Sequence, residues 1–102
     1  MTKALTKELL KDSLKIGIEE NRELPFNKGD INKTLHHHKN VEYRKTYTAK
    51  DFEYTFFDAG HIPGSASIYL NYNNGKKVLY TGDIKLSKTR LTNGADLSFC
   101  DN

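Results

Sequence analysis

Asn73-Asn74-Gly75 sits between two short runs of alternating residues, and no other feature constrains the fold of this chain as tightly. Asn and Gly tolerate positive φ, so the triplet reads as a hairpin turn. Before it, Ser67 to Tyr72 alternates, with Ile68, Leu70 and Tyr72 on one face. After it, Lys77 to Thr81 reads as the returning strand, paired antiparallel. What enters the first strand and what leaves the second must then lie at the same end of the sheet.

The rest of the chain divides at about residue 40. Upstream the period is helical. Leu5, Leu9, Leu10 and Leu14 recur at helical spacing across Lys3 to Ile16, with Thr2 as N-cap and Gly17 as stop. Glu19 to Gly29 is polar, contains Pro25 and reads as a loop; Asp30 then caps a short helix, Ile31 to His37. Downstream the pattern is β. Val41 to Tyr47 is rich in β-formers, Thr48 to Asp51 reads as a turn, and Phe52, Tyr54 and Phe56 alternate with Glu53 and Thr55 as a half-buried strand. The fold class is therefore α+β, with an N-terminal helix and a short helix packed on an antiparallel β meander. We expect one domain over residues 1–102, with a helical part at 1–38, a meander at 41–83 and a loosely ordered tail at 84–102.

Composition sets limits on this domain. Of 102 residues, 36% are hydrophobic and 28% charged, so the core should be thin. Six Tyr and five Phe must supply much of it. The net charge of +3 is compatible with a nucleic-acid partner without demanding one. The single cysteine, Cys100, allows no internal disulfide and no CxxC zinc site, which fits a reducing compartment. Met1 to Ile18 is charged and helical rather than a signal peptide, and no apolar run approaches the ~20 residues that span a bilayer. The expected location is cytoplasmic.

Two segments have the residue types for chemistry. In Asp58-Ala59-Gly60-His61-Ile62-Pro63-Gly64-Ser65-Ala66, two glycines permit sharp bends and Pro63 stiffens the turn around His61. Such a loop can hold an imidazole in one orientation, as a metal ligand requires, or can simply expose it. In Tyr80-Thr81-Gly82-Asp83 a carboxylate follows a strand end, where it can bind a metal or close an Asx turn. The hairpin brings both to one end of the sheet, and His with Asp suits zinc. Lys85, Lys88 and Arg90 follow; they can face a phosphate path or solvent. Tyr43, Tyr47, Tyr54, Tyr69 and Tyr72 can pack or stack on bases. His36-His37-His38 reads as a solvated helix end, because consecutive helical residues point ~100° apart and cannot all grip one ion.

Phe57 to Ala66 and Lys77 to Asp83 together resemble the metallo-β-lactamase superfamily, and most of all its β-CASP branch of cleavage-and-polyadenylation-type and RNase J-like nucleases. Thr6 to Ser13 resembles the helix that follows the first histidine-rich motif there. The resemblance implies part of an αββα sandwich. It implies that His61 is the third-motif zinc ligand and Asp83 the aspartate bridging two zinc ions, both catalytic. It also implies hydrolysis of RNA phosphodiester bonds by two metals about 3.5–4 Å apart. Ser65 is expected to shape the loop rather than react. The His-x-His-x-Asp-His signature of the family does not occur in the sequence, nor does its last ligand histidine. The expectation is an internal slice of a larger nuclease, or a truncated gene product, with little or no catalysis alone. A complementing chain or self-association is then plausible. The alternatives are a small non-catalytic RNA- or protein-binding module and a remnant without function.

Overall fold

The computed structural model describes residues 1–101, so Asn102, the last residue of the expected tail, lies outside the described residues. The single domain expected over the whole chain divides into two compact units, one of residues Met1–Asn40 and one from Val41 onward. The boundary falls where the sequence changes from helical to β periodicity. Among the described residues no helix is long and apolar enough to cross a membrane.

The first unit is a pair of helices, α1 (Thr2–Glu19) and α2 (Lys28–His37). Helix α1 runs through Gly17 instead of stopping there. Gly17 is buried, and a Cβ on it would fall on the Leu24 side chain. The glycine thus makes room for packing. The real stop is Asn21, at φ 52°. Its N–H reaches Ile18 O and that of Arg22 reaches Gly17 O, at 3.2 and 2.8 Å. That pair of bonds is a Schellman motif, with Asn taking the left-handed position that Gly more often fills. Thr2 lies inside the helix and Met1 occupies the N-cap position, without a side-chain cap.

Helix α2 begins three residues earlier than its apolar pattern indicates, because Asn27 caps it rather than Asp30. The Asp30 N–H donates to Asn27 Oδ1 at 3.1 Å, and the Asn27 N–H donates to Asp30 Oδ2 at 2.9 Å. This is a reciprocal capping box with Asn and Asp in the places usually held by Ser/Thr and Glu. Ile31, 2% exposed, is the buried apolar residue of the unit.

The second unit is a four-stranded antiparallel meander in the order β1 (Thr46–Thr48), β2 (Phe52–Asp58), β3 (Ala66–Tyr72), β4 (Lys77–Tyr80), followed by a 3-10 turn at Ser98–Asp101. The expected strand over Val41–Tyr47 shrinks to β1. Arg44 adopts φ 62° and donates its N–H to Phe56 O, which breaks the extended run before Thr46. The Asn73-Asn74-Gly75 turn closes as a three-residue loop. Gly75 N–H donates to Tyr72 O at 2.9 Å, Tyr72 N–H donates to Lys76 O at 2.8 Å, and Gly75 alone carries positive φ, 82°. A type I turn ending in a left-handed glycine produces this pattern.

The two sheet faces differ from the simple alternation. The residues at Phe52, Tyr54 and Phe56 are only half-buried; Tyr54 contacts the rings of Tyr47, Phe52 and Phe56, and Phe52 that of Tyr72. The opposite face holds the buried residues Thr55, Phe57 and Ser67. The reason is the returning tail: Phe99 lies on the rings of Phe57 and Tyr69, 5.2 and 6.0 Å between centroids. Phe99, from the segment after β4, thus covers this face of the sheet.

Replacing Asn27 by Ala removes one acceptor of the box, and the expected cost is about 1 kcal/mol. Thermal unfolding followed by circular dichroism reads it; no change would show that α2 does not depend on its cap.

Candidate metal centre

The His61 loop begins and ends in paired backbone. Asp58, the last residue of β2, stands opposite Ala66, the first of β3. Between them the loop is held from inside. Asp58 Oδ1 accepts from Gly60 N–H at 2.8 Å, and Ser65 Oγ accepts from the N–H groups of His61 and Ile62 at 3.2 and 3.3 Å. Gly60 and Gly64 take φ of 72° and 89°. The Tyr43 hydroxyl donates to Ser65 O at 2.7 Å, and burial, then the charge of Asp58, raises the Tyr43 pKa. The His61 side chain itself is exposed.

Asp83 reaches the same end of the sheet by another route. Strand β4 ends at Tyr80, opposite Ile68. Buried Ser67 donates its hydroxyl to Thr81 O at 3.0 Å and so keeps the departing chain against β3. Gly82 turns it at φ 55°, and two residues after Asp83 the Lys85 N–H donates to Ala59 O at 2.8 Å. The segments carrying His61 and Asp83 are thus joined by a backbone hydrogen bond. Strand β4 is exposed along its length, not buried, because it is the sheet edge with a neighbour on one side only.

The tail completes this seam. Ala95 N–H donates to Lys85 O and Asp96 N–H to Asp58 O, both at 2.8 Å. The buried Thr92 hydroxyl donates to Gly60 O at 2.7 Å. A Cβ on Gly60 would fall on Lys85 O, Gly94 C and Ala95 N, and one on Gly94, at φ 85°, on Leu86 O. Two backbones cross here with only glycine between them. The Arg44 side chain adds a strut, donating to Asp96 Oδ2 at 2.6 Å. That bond holds the Asp96 carboxyl below its ordinary pKa against the opposing effect of burial. Thr92, Gly94 and the Arg44–Asp96 pair carry no signal in the sequence beyond Asn93-Gly94, a dipeptide that marks a turn.

Lys85, Lys88 and Arg90 lie exposed on this returning segment, and none is in an ion pair among the described residues. Among the described residues no group of three or more His, Cys, Asp or Glu side chains is disposed to hold a metal ion. One imidazole and one carboxylate have the donor types zinc accepts but fall short of the about three protein ligands of a catalytic zinc. The geometry therefore offers a partial donor set, and no hydrolytic step follows from these residues alone.

No family model matches the chain. It is 52% identical over 99 residues to a probable RNase, MJ4, of Methanocaldococcus jannaschii, a match over 97% of this chain and 23% of that protein. The chain belongs to the β-CASP branch of the metallo-β-lactamase superfamily. Two further β-CASP relatives agree. The transcription termination factor FttA of Methanosarcina mazei is 38% identical over 78% of this chain and 13% of its own length. The cleavage and polyadenylation specificity factor subunit 3 of Dictyostelium discoideum is 33% identical over 93% of the chain and 12% of its own length. The chain spans about a quarter or less of these β-CASP relatives.

Two measurements test the seam. Gly60→Ala combines a left-handed backbone with a clash against fixed backbone atoms, and the expected loss is about 3 kcal/mol in urea unfolding. Gly75→Ala has the same sign of φ but open space around it, and about 1 kcal/mol is expected. Equal losses would mean that the crossing at Gly60 is not tight. For the strut, a carboxyl with a lowered folded-state pKa stabilises fully above the ordinary carboxylate value and less as pH falls through the lowered one. Arg44→Gln should therefore be less stable than wild type at neutral pH, with the gap closing in acid; a gap constant to about pH 2 would contradict the assignment.

Proposed function

We propose that this chain contributes His61 and Asp83 to a two-zinc centre that hydrolyses RNA phosphodiester bonds, the remaining ligands coming from outside the described residues. The observation that carries the reading is the Lys85–Ala59 backbone bond, which ties the segments of His61 and Asp83 together at one sheet end. The donor types support it, and so do the names of the relatives, two of which are RNases or cleavage factors. Bound zinc in such a centre supplies an activated water and neutralises developing charge. This chain's own part is to aim an imidazole from a loop braced by Ser65, to set a carboxylate beside it, and to present Lys85, Lys88 and Arg90 to phosphates.

A second reading, a non-catalytic RNA-binding module, is favoured by the partial donor set together with those three cations, unpaired among the described residues. Zinc titration of the chain by calorimetry separates the two. The first reading expects weak binding that His61→Ala and Asp83→Asn each reduce about tenfold, as loss of one ligand or its support does. Binding indifferent to both substitutions would remove His61 and Asp83 from any metal site and leave the second reading.

A further inference from the structure

We propose that the helical unit is a binding surface for single-stranded RNA, with backbone phosphates along α1 and one base in the groove between α1 and α2. This rests on the reading of the chain as acting on RNA, but concerns a surface apart from His61 and Asp83.

Lys3, Lys7, Lys11 and Lys15 follow one another at intervals of four in α1. At ~1.5 Å rise and ~100° per residue, each step advances about 6 Å and turns about 40°, so the four form one stripe about 18 Å long. All are exposed, and among the described residues none is in an ion pair. Like charges four apart weaken a helix. Three such pairs oppose helix formation, offset in part by Glu8, Asp12 and Glu19 at spacings of three or four from Lys11 and Lys15, and an anionic ligand along the stripe would relieve them.

The stripe borders a groove of about 510 Å³ within the same unit. Leu14, Ile18 and Ile31 form its apolar wall, and Lys11, Lys15 and Lys28 stand on its rim. Glu19 is the one acid there, and the Asn32 amide offers both a donor and an acceptor. The size suits a small planar group. Apolar floor beside cationic rim matches a nucleotide, an apolar base joined to an anion. It matches a single strand rather than a duplex, whose bases are stacked away from such a groove. A lipid surface fits less well. Of the exposed apolar residues of α1, Leu5, Leu9 and Ile16 lie about 160° around the helix from the lysine stripe at ~100° per residue and only Ile18 lies on its side, so one plane cannot take the stripe and most of the apolar surface together.

Fluorescence anisotropy of a labelled oligouridine of about 12 nucleotides against the full chain, in EDTA, tests this. The four stripe lysines should contribute about −3 to the slope of log affinity on log salt over about 50–200 mM, and Lys7→Gln/Lys11→Gln/Lys15→Gln should reduce the slope by about 2 and weaken binding at least tenfold. These exposed changes should leave the helical dichroism intact, which confirms folding. Ile18→Asp should lower affinity for the single strand and not for a duplex of equal length, whereas Glu19→Gln should raise it about twofold by removing the rim carboxylate. Duplex bound as well as single strand, or polyglutamate or anionic vesicles bound as well as RNA, overturns the proposal, as does no binding. Because zinc is absent throughout, none of these outcomes bears on whether His61 and Asp83 hold metal.

Discussion

The crossing of two backbones at Gly60 and Gly94 is the constraint on which the sheet unit depends. At that point the loop after β2, the chain after β4 and the returning tail come within hydrogen-bond reach. Lys85 bonds to Ala59, Ala95 to Lys85 and Asp96 to Asp58. A Cβ on Gly60 would fall on Lys85 O and Ala95 N, the two partners of one of these bonds, and a Cβ on Gly94 would fall on Leu86 O. The apolar core is too small to substitute for these bonds. The buried apolar residues of this unit are Phe57 and Ala59, and Ala59 is itself part of the seam. Backbone pairing and Thr92 do here what a larger domain does with side-chain packing.

The same seam explains why the candidate site is orderly although its two donors are exposed. His61 follows Gly60, bonded to Asp58, and is itself bonded through its N–H to Ser65, while Asp83 lies two residues before Lys85, bonded to Ala59. Ser65 fixes the loop from one side and Tyr43 fixes Ser65 from another. Exposure is then no sign of looseness: it leaves the imidazole and the carboxylate accessible, as the proposed metal centre requires. Membership of the β-CASP branch agrees with this picture, since the chain corresponds to about a quarter or less of each relative.

Short-range features were legible in the sequence and long-range ones were not. The Asn73-Asn74-Gly75 hairpin, the β2 and β3 strands and the shared end of the His61 and Asp83 loops all follow from patterns within about ten residues. Local signals also misled where a residue had two uses. Gly17 looked like a helix stop but serves the packing of Leu24, while Asn21 does the stopping. Asp30 looked like a cap but is the third residue of a box headed by Asn27. The buried face of β2 came out reversed, because Phe99, forty-two residues after Phe57, decides it. Thr92 and Asp96 gave no signal at all, since their partners lie 32 and 52 residues away. Such contacts have no periodicity to read.

The central claim is that His61 and Asp83 serve one metal ion. Nuclear magnetic resonance during a zinc titration of the isotopically labelled chain measures this directly. The account predicts that the His61 ring and the Asp83 amide shift together with a single midpoint, while His36, His37 and His38 stay still over that range. Separate midpoints for His61 and Asp83, or zinc taken first by the three consecutive histidines, would contradict it.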